Sequence, residues 1–115
     1  MSEDSLDRLT RLSRQFVEER QWQSFQTPKN LSMAMIVEAG ELVEHFQWLT
    51  QQESLQPDAG KKQAIADELS DVLVLLLRIA DVLDIDMKVA AEDKIRRNGE
   101  NYPVAEQANG PYRSR

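Results

Sequence analysis

The chain contains no cysteine. That excludes disulfide frameworks and thiol chemistry, and it removes thiolate ligands from any metal site. Histidine occurs once, at His45 directly after Glu44, so the Glu-x-x-His ligand pair of di-iron helical bundles is missing. Proline and glycine number four each, and most fall at expected element boundaries; Gly40 alone lies well inside a helical pattern. No alternation of period two survives beyond a few residues, which leaves no strand to predict. The longest apolar run, 72–77, is far too short to span a bilayer. Residues 1–10 are polar and charged, without an apolar signal-peptide core. A basic excess is also lacking: the formal net charge is −6 over 115 residues. Non-specific nucleic-acid binding needs a basic surface, so that class is excluded. A nucleotide substrate is not, because a metal ion can bridge acidic protein and acidic phosphate. The expectation is a soluble cytoplasmic protein with no nucleic-acid or membrane partner.

What remains is helical. A first helix is predicted over 5–20, with Leu6, Leu9, Leu12 and Phe16 forming one apolar stripe. A connector at 21–26 carries Trp22 and Phe25. Thr27-Pro28 reads as an N-cap followed by proline in the first turn, opening a second helix that runs to about Gln52. A polar loop at 54–60 precedes a third helix over 61–83. Asp84 or Asp86 caps a fourth helix ending near Asn98, with Gly99 as its stop. The fold class is therefore all-α, a four-helix bundle. One domain over 1–103 is followed by a polar, flexible tail over 104–115.

Two acidic pairs stand out, Glu38 with Glu41 and Glu68 with Asp71. Each is spaced i, i+3 within an apolar helical stretch, which places both carboxylates on one helix face. The second and third helices are joined by a short loop and are expected to pack antiparallel, pooling the four acids. Four carboxylates brought together cannot all stay ionised without a counter-charge. Four hard oxygen ligands with no thiolate favour Mg²⁺, with Mn²⁺ possible, over zinc. Magnesium recruits phosphate oxygens and suits hydrolysis at phosphorus. Glu41 and Glu38 are the catalytic candidates, Glu41 as the base that takes a proton from water, with Glu44 as an alternative one turn on. Lys94 and Asn98, spaced i, i+4, offer a cation and an amide to a phosphate or sugar, with Arg97 adjacent. Trp22, Phe25 and Trp48 offer flat surfaces for a base.

Each feature has a plainer reading. Acidic i, i+3 pairs are common on solvated faces, tryptophans are commonly core or interface residues, and cations near a helix C-terminus favour its dipole. On that reading the chain is a non-catalytic helical interaction module with a structural acidic patch.

The ordered set Glu38-Ala39-Gly40-Glu41, Phe46-Gln47-Trp48 and Glu68-Leu69-Ser70-Asp71-Val72-Leu73 resembles the MazG-like family of all-α nucleoside triphosphate pyrophosphohydrolases. The stretch 22–30, with Trp22, Phe25, Pro28 and Asn30, and the later Lys94, Asn98 and Tyr102-Pro103 are most similar to its dCTP pyrophosphatase branch. The resemblance covers about residues 6–103. It implies magnesium-dependent cleavage between the α and β phosphates, giving monophosphate and pyrophosphate, in the service of nucleotide-pool sanitation. It implies Glu38, Glu41, Glu68 and Asp71 as metal ligands, Trp22 and Trp48 at the base, and Lys94 and Asn98 at phosphate or sugar. It also implies a homodimer or homotetramer. Where the dCTP-specific members carry a histidine in the first helix and a tyrosine after the second acidic pair, this chain has Ser13 and Leu75. A broader or dUTP-like base preference therefore stands beside a dCTP-like one.

Overall fold

The computed structural model describes residues 3–104, all in helices, turns and short connections, with no strand among them. The expected tail lies outside the described residues except for Val104. Among the described residues, no helix is long and apolar enough to cross a membrane.

The chain divides into two units, 1–85 and 86–115. The first holds α1 (Ser5–Glu19), a 3-10 turn (Gln23–Phe25), α2 (Pro28–Glu44), α3 (Gln51–Ser54) and α4 (Ala59–Val82). The second holds α5 (Met87–Asn101).

Polar caps set most of the helix starts. Asp4, Thr27, Asp58 and Asp86 each accept a hydrogen bond from the backbone N–H three residues on, at 2.8, 3.2, 2.8 and 3.2 Å. Pro28 sits in the first turn of α2, where its missing N–H costs nothing.

Among the described residues there are five α-helices, not the four expected. The predicted second helix to Gln52 ends at Glu44, and α3 follows as a separate element. Thr50 sets the start of α3. Its backbone is extended (φ −70°, ψ 165°), and it forms a reciprocal capping box with Glu53 that starts a new helix. The other difference is at α5, which runs through Gly99 to Asn101. Gly99 keeps a helical conformation. The stop is Pro103, which forces the preceding Tyr102 out of the α region (φ −127°, ψ 71°).

Both α1 and α4 end in the same turn-back without a glycine. Gln21 and Asp84 take φ 55°, the left-handed conformation usually left to glycine. Trp22 N–H then donates to Val17 carbonyl at 3.0 Å, and Ile85 N–H to Ala80 carbonyl at 2.8 Å. For α1 this reversal lays Trp22 back on its own helix, edge-on to Phe16 with centroids 5.8 Å apart.

α4 is the spine of the first unit, packed most extensively on α2 and secondarily on α1. The α2–α4 pair is antiparallel: Gln26, just before α2, bonds Arg78, while Glu38 further along meets Glu68. Among the described residues the buried apolar side chains are Val17, Leu31, Leu77 and Ala80. One charged residue, Arg78, is buried with them and held by Asp81 at 2.6 Å. Asp81 also accepts from Arg14 Nε at 2.9 Å, which ties α1 to α4. Large apolar side chains remain open on other faces, among them Met33, Ile36 and Val43 on α2 and Leu69 on α4.

Candidate functional site

Helical periodicity places Glu38 and Glu41 on one face of α2, and the antiparallel register brings α4 past them at Glu68. One carboxylate oxygen from each of Glu38, Glu41 and Glu68 lies within 4.8 Å of the others. Asp71, one turn along α4, is exposed and falls outside this set. Its charge still acts on Glu38. Glu44 is exposed and also outside the set.

The cluster is electrostatically unfinished. Glu38 Oε2 and Glu68 Oε2 are buried and have no hydrogen-bond partner. A buried oxygen without a donor is costly and rare in a settled structure. Glu38 is pushed up to about 7, first by the adjoining Glu68 carboxyl, then by burial, then by Glu41 and the charge of Asp71. Crowded carboxylates without a counter-charge produce a shift in that direction. A hard divalent cation would satisfy the same two oxygens, and an all-carboxylate donor set is the chemistry such ions take. No Lys or Arg ion pair reaches Glu38, Glu41 or Glu68 among the described residues.

On the α1 side of α4 lies a cavity of about 400 Å³. Leu9, Leu12, Phe16, Trp22, Val74 and Leu75 form its apolar wall. Leu75 is one turn beyond Asp71, so α4 carries the acids and the cavity wall in sequence. Ser13, Gln26 and Arg78 supply the polar atoms.

The expected site residues distribute unevenly. Trp22 lines the cavity, whereas Trp48, in the turn after α2, is 87% exposed and does not. Phe25 is exposed as well. Lys94 and Asn98 share an exposed face of α5 in the second unit. Arg97, noted as a further cation there, is engaged by Asp93 at 2.8 Å. Gln26 and Arg78 were missed by sequence reasoning. A signal existed for Arg78: an arginine within an apolar helical run, with Asp81 three residues on, marks a buried charge with a local partner.

Comparison with known proteins follows the same lines. The MazG-like family matches residues 33–111. Rat dCTP pyrophosphatase 1 is 38% identical over 106 residues, covering 89% of this chain and 61% of that protein. The human protein of the same name is 37% identical over 104 residues, with 89% and 61% coverage. This chain thus spans about three fifths of the length of these curated relatives. A crystal structure of a pyrophosphatase from Archaeoglobus fulgidus superposes with a TM-score of 0.82 at 32% identity, covering 90% of this chain and 96% of that one. A match over most of the chain, with a shared fold at that identity, fixes the kinship: this chain belongs to the MazG-like family.

Proposed function

We propose that this protein hydrolyses a (deoxy)nucleoside triphosphate between the α and β phosphates, releasing the monophosphate and pyrophosphate, with magnesium as cofactor. The observation that carries the reading is the meeting of Glu38, Glu41 and Glu68, with two buried oxygens left without partners. The rat and human relatives are named as dCTP pyrophosphatases and the archaeal one as a pyrophosphatase, which supports hydrolysis of a nucleotide's phosphate chain. Pyrimidine deoxynucleotides of the dCTP kind are the favoured substrates, in a role of clearing unwanted nucleotides from the pool. Ser13 and Leu75 in the cavity wall keep a broader or dUTP-like preference as the second reading.

Glu38, Glu41 and Glu68, with Asp71 completing the charge, would hold the ion. When bound, it neutralises phosphate charge and lowers the pKa of water. Glu41 takes the proton from the attacking water as the new bond to the α-phosphorus forms. The bond from that phosphorus to the bridging oxygen breaks, and pyrophosphate leaves with the electron pair. Trp22 offers the base a π-face, and Trp48 is assigned to the same base. Lys94 and Asn98 are assigned to the phosphates or sugar on the strength of the family likeness. Incubation with a panel of pure triphosphates and Mg²⁺ should yield monophosphate and pyrophosphate by mass. Orthophosphate, or no product from any nucleotide, would refute the bond assignment.

The working unit is a homo-oligomer on this reading. Met33, Ile36 and Val43 recur at helical spacing along α2 and are all more than half exposed, at 58, 68 and 56%. Apolar surface of that kind is best covered by a second copy. Sedimentation should give a dimer or tetramer, and Ile36→Glu should shift it toward monomer. A wild-type chain that sediments as a monomer at micromolar concentration counts against the assignment.

A further inference from the structure

The cavity on the α1 side of α4 has few polar side chains, Ser13, Gln26 and Arg78. Ser13 Oγ–H donates to Thr10 carbonyl at 2.9 Å, so its oxygen is left only to accept. Arg78 donates from NH1 to Asp81 at 2.6 Å and from Nε to Gln26 Oε1 at 3.2 Å. The second contact fixes the Gln26 amide. A flipped amide would set its NH₂ group against the guanidinium, donor against donor. With Oε1 held by Arg78, Gln26 Nε2 has no protein partner among the described residues. Its residue lines the cavity with Trp22 and Leu75.

We propose that Gln26 is a specificity-determining residue, donating from Nε2 to a ring carbonyl oxygen of the bound base, with Arg78 as the residue that positions it. This rests on the reading of the cavity as a base site. Most of the lining is apolar and tolerates any flat ring. A site built around an unsatisfied donor, by contrast, rejects a ligand that cannot accept from it. Cytosine and uracil carry such a carbonyl and adenine carries none. Leu75 offers no hydrogen bond and the Ser13 oxygen can only accept, whereas Gln26 Nε2 is a donor of the lining that its protein contacts leave open. Asp81, paired with both Arg14 and Arg78, holds the positioning guanidinium in place.

The test compares dCTP, dUTP and dATP in wild type, Gln26→Leu and Gln26→Glu. The glutamate variant preserves an oxygen for Arg78, so it keeps the fold if the leucine variant does not. Both should raise KM for dCTP and dUTP about 10- to 100-fold with kcat little changed, and leave dATP within about twofold. Equal effects on all three nucleotides, or none, would overturn the role of Gln26. Should wild type release no pyrophosphate at all, the reaction reading fails while this one stays testable. Quenching of tryptophan fluorescence, titrated with dCMP, dUMP and dAMP in wild type and both Gln26 variants, then reports the same ratios. Quenching that ranks the three alike in wild type and in both Gln26 variants sinks the proposal.

Discussion

On the proposed reaction, Glu68→Gln should all but abolish magnesium-supported pyrophosphate release while leaving the fold intact. Glu68 is the α4 member of the three-carboxylate group and the first cause of the raised Glu38 pKa. Its Oε2 is one of the two buried oxygens without a partner. An amide there cannot carry the charge that a cation needs, and the expected fall in kcat/KM is about 10³-fold. Metal-free stability should hold or rise, because the substitution removes one of several crowded negative charges. Thermal melting with and without Mg²⁺ separates this from a merely structural acid. A ligand at about 100 times its Kd stabilises the folded state by about 2.7 kcal/mol. Wild type should show a shift of that kind and Glu68→Gln should not. The helical interaction module predicts no magnesium shift in either protein. A variant that keeps both its shift and its turnover would remove Glu68 from the machinery.

The acids were legible before any coordinates because their spacing matches the helix and their surroundings are apolar. Thr27-Pro28 was equally plain, since both residues announce a helix start by local chemistry. Features decided by a competing local signal were harder. Thr50 and Glu53 form a capping box inside a stretch that reads as continuous helix, and the box prevailed. Gly99 carries the usual stop signal, but Pro103 four residues later sets the boundary. The reversals at Gln21 and Asp84 had no glycine to betray them. Features that need tertiary partners were out of reach. The Gln26 amide acquires its orientation from Arg78, 52 residues away in sequence. Asp71 shares a helix face with Glu68, yet helix periodicity alone could not say that it would sit outside the closest carboxylate group. A family likeness names residues, but only the packed helices say which of them meet.

Asp81→Ala is expected to be the most destabilising single change outside the acidic cluster. Arg78 is 6% exposed and depends on Asp81 for its charge partner. Removing one member of a buried pair leaves the other charge uncompensated, at a cost of about 3–5 kcal/mol. Arg14, with its side chain 46% exposed, turns to water and adds little. The decisive comparison is the double variant Arg78→Met with Asp81→Ala. Replacing both charges by apolar groups of fitting size should recover most of the loss, because the penalty lies in the orphaned guanidinium. The acid limb of the stability curve checks the same contact from the other side. The guanidinium of Arg14, and after it that of Arg78, pulls Asp81 down from 3.8 to about 2 against the opposing effect of burial. A carboxylate with a depressed folded pKa stabilises fully above its unfolded value and loses that contribution as pH falls through the folded one. Wild type should therefore lose on the order of 1–2 kcal/mol between about pH 4 and pH 2 that Asp81→Ala does not lose again. Denaturant melts across that window give both numbers, and parallel curves for the two proteins would show that the clamp between α1 and α4 contributes nothing.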